Sequence, residues 1–153
     1  MNYHLICSIL IISFLTKDCN YSFKNKKKFR KLLKKIVLNE GYKIDNISIV
    51  FTSDKYLLKV NKKFLSKNYL TDIITFDYSK NKIINGELVI SIDRIKENAI
   101  IFKNSFLNEL YRVIIHGFLH LMRYNDLTKN EEKEIRLKEN EYLNFINKKL
   151  NIY

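Results

Sequence analysis

His116 and His120 are two of only three histidines in the chain, and they stand four residues apart in a stretch that reads as a helix. Four residues is just over one helical turn, so both imidazoles project from the same face, one above the other. That geometry lets both reach a single metal ion. Around them Leu110, Val113, Ile114, Ile115, Phe118, Leu119, Leu121 and Met122 make the helix apolar nearly all round, the pattern of a buried element. Glu109, Arg112, His116 and His120 form its one polar stripe. Burying such a stripe costs free energy unless its members find partners. A metal satisfies it; two hydrogen-bonded core histidines beside a Glu109–Arg112 ion pair are the competing reading. Asp126 lies ten residues after His116, just past the helix end, and a turn at Tyr124-Asn125 can swing it back as the third ligand. The alternative for Asp126 is a turn residue ahead of Thr128. Two histidines and a carboxylate with an open fourth position make a catalytic zinc site, and such a site lowers the pKa of a bound water to near 7. One zinc ion per chain is expected. Gly117 stands where an H-E-x-x-H protease carries its general base, which counts against a peptidase and leaves room for substrate or backbone near the metal.

The elements that must position these residues read as strands and helices alternating early and helices dominating late. Leu5 to Leu15 is an apolar run of 11 residues, too short to span a bilayer and best read as a buried first strand. Residues 1–10 include a stretch that a folded domain need not use. Phe29, Leu32, Leu33, Ile36 and Val37 give one buried face to a helix over Lys24 to Glu40, with Gly41 placed to end it. Ile47 to Phe51 reads as a strand, and Ser53 as the cap of a helix in which Tyr56, Leu57, Val60 and Phe64 share a side. Strands follow at Ile73 to Phe76 and at Glu87 to Ile92, the second entered through the turn signal Asn85-Gly86. A helical stretch starts near Asp93, and helices at Ser105 to Met122 and Lys129 to Leu150 finish the chain. Thr128 and Glu131 form a capping box at the start of the last one. The order predicts an α+β fold with α/β-like layers: a small mixed four-stranded sheet covered by about five helices, as one domain over residues 1–153.

Composition narrows the partners. The chain has 153 residues, with 28 Lys and Arg against 16 Asp and Glu, a formal net charge of +12. That excess favours a polyanion, although the abundance of Lys, Asn, Ile, Tyr and Phe also fits the output of an AT-rich genome. The helix face made by Lys24, Lys26, Lys27, Lys28, Arg30, Lys31, Lys34 and Lys35 is either a solvated face or a patch for RNA. Cys7 and Cys19 are too few for a disulfide framework and fit a reducing cytoplasm.

Several blocks resemble one family, in order along most of the chain. His116-Gly117-Phe118-Leu119-His120-Leu121 resembles the HGxLHL core of the YbeY family, whose signature continues x-G-Y-D-H. Glu109, Leu110, Arg112 and Val113 fit the lead-in to that core. Asn61 to Phe64 with Thr71 to Phe76 is similar to LNxxY…TDVLSF, Gly86 to Ser91 to GDIVIS, and Glu139 to the acidic position of the last helix. The chain departs from the pattern at Arg123 and Asn125, which replace Gly and Asp, and at Asp126, which stands where the third metal-binding His is usual. Leu65 occupies a position that is usually arginine in the family, with Lys62, Lys63 and Lys67 near enough to substitute in holding RNA. The resemblance implies a metal-dependent endoribonuclease acting on single-stranded RNA. It further implies a role in maturing ribosomal RNA, notably the 3′ end of small-subunit rRNA, with ribosomal RNA and the small subunit as partners. No membrane and no nucleotide cofactor are expected. Glu87, Glu109 and the metal's own water stay open as general base, and Asp72 and Arg112 are candidates for supporting roles. A non-catalytic assembly factor with a structural zinc and a metallopeptidase-like hydrolase are the rivals.

Overall fold

The computed structural model describes residues 11–152, so the part of the expected first strand before Ile11 lies outside the described residues. The strand begins as β1, Ile12–Thr16, followed by α1, Lys26–Asn39, and β2, Lys43–Thr52. Next come α2, Asp54–Leu65, β3, Ile73–Asp77, and β4, Ile83–Ser91. Three helices complete the chain: α3, Ile92–Ile101, α4, Phe106–Leu121, and α5, Lys129–Leu150. The four strands lie in the order β1-β2-β4-β3. β1, β2 and β4 are parallel, and β3 runs antiparallel to β4 at the edge. The mixed sheet and five helices match the expected α+β class.

Period-2 alternation sorts the strand residues onto two faces. Ile47, Ile49 and Phe51 of β2 sit in register with Gly86, Leu88 and Ile90 of β4, and the large side chains among them join the main core with α1, α4 and α5. Val50 and Val89, also in register, point the other way with Ile74 and pack on Leu57 of α2. Phe64 does not share that burial as expected: it lies 58 % exposed at the end of α2, edge-on to Phe76. The basic face of α1 is exposed except at Arg30, whose Nε donates to the Ile12 carbonyl at 2.7 Å. Among the described residues, no helix is long and apolar enough to cross a membrane.

Two glycines differ from their sequence reading. Asn85-Gly86 is not the hairpin turn: the β3–β4 connection turns at Lys80–Ile83, whose backbones exchange two hydrogen bonds, with Asn81 at φ 55°. Gly86 is inside β4, and a Cβ there would collide with the Phe76 carbonyl and lie 2.9 Å from Leu121. Gly117 is not open to substrate either. A Cβ on it would come within 2.7 Å of Leu88 and 2.9 Å of Ile73, so the glycine lets α4 sit close on the sheet. That approach fixes the height of His116 and His120 above β3.

Candidate metal centre

α4 starts at Ser105, whose side chain accepts from the Asn108 N–H, and ends in a backbone cap beyond Leu121. Its apolar faces are buried against the sheet and α5, which leaves the polar stripe facing a cleft beside β3. The Nε2 atoms of His116 and His120 are 2.8 Å apart. Asp126 Oδ2 lies 3.7 Å from the first and 3.5 Å from the second. All three residues offer ligand atoms within 4.8 Å of one another, so His116, His120 and Asp126 form a candidate metal-binding triad.

The chemistry of the donors fits a cation. Glu139 of α5 lies 2.7 Å from His116 Nδ1, and a carboxylate there accepts the Nδ1 proton. The Nε2 lone pair of His116 is then free to point at its neighbours. Two imidazole lone pairs and a carboxylate facing one point repel unless a proton or metal lies among them. Burial, and then the neighbouring His116, lower the pKa of His120, which keeps that ring neutral and able to ligate. Burial pushes the Glu139 carboxyl up, and hydrogen bonds from His116 and Arg112 together with the charge of Arg136 more than offset this, leaving it below the ordinary range. Burial holds the carboxyls of Asp72 and Glu109 above theirs.

The loop that carries Asp126 is tied from behind. Tyr42 Oη donates to the Met122 carbonyl at 2.9 Å, and Tyr124 Oη donates to Glu40 at 2.7 Å. Glu40 also accepts from Lys138 at 2.9 Å and from Tyr142, which joins α1, the loop and α5. In front of the triad opens a cavity of about 600 Å³, with Leu65, Lys67, Tyr69, Asp72, Asp77 and Arg123 on its walls. A second cavity of about 400 Å³ adjoins it across Asp72, Ile73 and His116, and contains Glu109, Arg112 and Glu139.

The other expected residues divide. Lys67 lines the main cavity, whereas Lys62 and Lys63 are exposed and off its walls. Glu87 lies on the α2 side of the sheet, in a groove with Val50 and Val89, so it is no base for this site. Arg112 pairs with Glu139 at 3.3 Å and donates to Asn140 at 2.9 Å, rather than pairing with Glu109, which accepts from Asn104. Glu139 is the member whose role the residue pattern alone did not give. Its signal was an acid set into the apolar stripe of α5, between Ile135 and Leu143.

The family described as "Endoribonuclease YbeY" matches residues 11–147. The chain belongs to the YbeY family. An "Endoribonuclease YbeY" of Karelsulcia muelleri is 42 % identical over 132 residues, 86 % of this chain and 94 % of that one. Another, of Cytophaga hutchinsonii, is 43 % identical over 129 residues, covering 84 % and 90 %. A solution structure of a Thermotoga maritima protein superposes with a TM-score of 0.67 at 26 % identity, over 92 % of this chain and 91 % of that one. The YbeY match includes every element that builds the cleft, from β1 to α5.

Proposed function

We propose that this protein is a zinc-dependent endoribonuclease that cleaves single-stranded RNA. Its place is in ribosomal RNA maturation in the cytoplasm, notably at the 3′ end of small-subunit rRNA. The observation that carries the reading is the His116, His120 and Asp126 triad at the floor of an open cavity, in a chain of the YbeY family. A zinc ion held by the three residues supplies, when bound, a Lewis acid beside a phosphodiester and a water of lowered pKa. The protein's own part is positional. Glu139 holds the His116 ring in the tautomer that presents Nε2, and Glu40 and Tyr42 hold the loop that presents Asp126. Lys67 brings positive charge to the cavity wall, where a phosphate of the strand is held. Glu109, buried and accepting from Asn104, lines the adjoining cavity and keeps its proton more readily than usual. The net charge of +12 favours a polyanionic substrate. The open cavity weighs against a closed structural zinc, and glycine at position 117 weighs against a peptidase.

The test is metal content together with cleavage of a single-stranded ribosomal RNA fragment, for wild type, His116→Ala and Asp126→Ala side by side. About one zinc per wild-type chain is expected, with cleavage and most of the zinc lost in the first variant and zinc much weakened in the second. Full zinc occupancy in Asp126→Ala removes it as a ligand, and undiminished cleavage by His116→Ala removes the whole reading.

A further inference from the structure

We propose that Arg123 is a substrate-binding residue whose guanidinium, parked on Asp77, transfers to a phosphate of the RNA strand entering the cavity. This rests on the reading of the site as an endoribonuclease.

The first observation is conformational. Arg123 caps α4: its N–H donates to the His120 carbonyl and the Tyr124 N–H to the Leu119 carbonyl, each at 3.0 Å. This pair of bonds requires a left-handed residue, and Arg123 has φ 72°. Glycine is the usual occupant, because a Cβ there costs about 1 kcal/mol. Most other non-glycine residues with positive φ are short and polar: Asp18, Asn25, Ser66, Asn81 and Asn151. Lys103 ends α3 in the same way, φ 54°, so what sets Arg123 apart is that this left-handed cap holds a long cationic side chain on the wall of the candidate site.

The second observation is electrostatic. The cavity walls carry the cations Lys67 and Arg123 against the carboxylates Asp72, Asp77 and Asp126. Leu65 and Tyr69 add no charge. A phosphate entering this cleft therefore depends on few positive groups, and a guanidinium matches its oxygens in a planar fork.

The third observation is how lightly Arg123 is held. Its Nη1 lies 3.0 Å from Asp77 Oδ2, with the arginine side chain 58 % exposed, the class of ion pair that stabilises little. Asp77 has its own anchor, since Oδ1 accepts from the Ser79 N–H at 2.8 Å. Asp77 stays in place when the guanidinium leaves, and competes with phosphate for it.

That competition gives a test with opposite signs. In cleavage of a short single-stranded oligoribonucleotide, Arg123→Gly raises KM about ten-fold at nearly constant kcat, as loss of a ground-state contact requires. It also lowers the salt slope of RNA binding by about one and raises the melting temperature by relieving the left-handed strain. Arg123→Lys restores part of the affinity. Asp77→Asn, which keeps the Ser79 bond, lowers KM by freeing the guanidinium. If Arg123–Asp77 is only a structural pair, both variants break it, and KM moves in the same direction or not at all; either result overturns the proposal. If wild-type protein loaded with zinc cleaves no RNA, the functional reading fails and this proposal fails with it.

Discussion

A neutral imidazole has one proton and one lone pair, and which nitrogen carries which decides whether it can ligate a metal. At His116 the choice is made by Glu139, 2.7 Å from Nδ1 and itself paired with Arg112. Glu139→Gln removes the charge and makes the tautomer ambiguous, because the amide can offer either oxygen or N–H. Zinc affinity, read by competition with a chromogenic chelator, should fall by about 10–100-fold while the fold is kept. Unchanged affinity would mean that Glu139 serves only the α4–α5 contact. The residue scale was also the most legible in the sequence. The His116–His120 spacing is local, so helical periodicity pairs the two imidazoles, and the short turn past the helix end returns Asp126 to them. Glu139 acts across 23 residues from another helix, a distance that no local period encodes. Glu87 failed as a candidate base because strand alternation, one residue either way, decides which side of the sheet a side chain meets.

Helix α4 carries the site, and its distance from the sheet is set by Gly117 against Leu88 and Ile73. Leu88 is fully buried, so it has no open space to move into. Gly117→Ala should therefore destabilise by about 1–3 kcal/mol through overpacking, despite alanine's better helix propensity, worth up to about 1 kcal/mol in the other direction. Chemical denaturation should show the loss, and a gain in stability would mean that Leu88 and Ile73 yield easily. Elements were legible in existence and order, because their amphipathic periods and caps at Ser53 and Thr128 are strong. The exceptions share a cause. Asn85-Gly86 has the chemistry of a turn, yet Gly86 is required by the crossing of β3, β4 and Leu121. A tertiary need for glycine and a local one look alike in a sequence. The real turn at Lys80–Ile83 places asparagine in the left-handed position and carries no glycine to announce it.

At the scale of the molecule, Glu40 joins α1, the Asp126 loop and α5. Burial raises its carboxyl, and hydrogen bonds from Tyr142, Lys138 and Tyr124 more than offset this, so its pKa lies below the ordinary value. A depressed carboxyl stabilises above the unfolded pKa and loses that contribution as pH falls through the folded one. Tyr124 and Tyr142 are pushed up to about 12, by burial first and then by Glu40. They stabilise fully below about pH 10, their unfolded value, and lose this as pH rises toward 12. Melting temperature should fall at both ends, and Glu40→Gln should remove its share of the acid arm and flatten the alkaline arm only in part, since burial is the larger cause there, while costing about 3 kcal/mol near neutrality; an acid arm of unchanged steepness would remove Glu40 as its source. Metal removal probes a different organisation. The main core, with Phe29, Phe51, Leu88, Ile114 and Phe118, is continuous from α1 through the sheet to α4 and α5 and includes none of the three candidate ligands. A structural zinc contributes most of its binding energy to folding, so the apo chain collapses. Here the candidate ligands lie outside the apolar core, so the cost of emptying the site is the repulsion among His116, His120 and Asp126, which protonation or side-chain rotation relieves. Chelation should therefore abolish cleavage and lower the melting temperature while leaving the far-ultraviolet circular dichroism at 25 °C that of the folded protein. An unfolded spectrum under those conditions would place the metal in the fold instead of the chemistry.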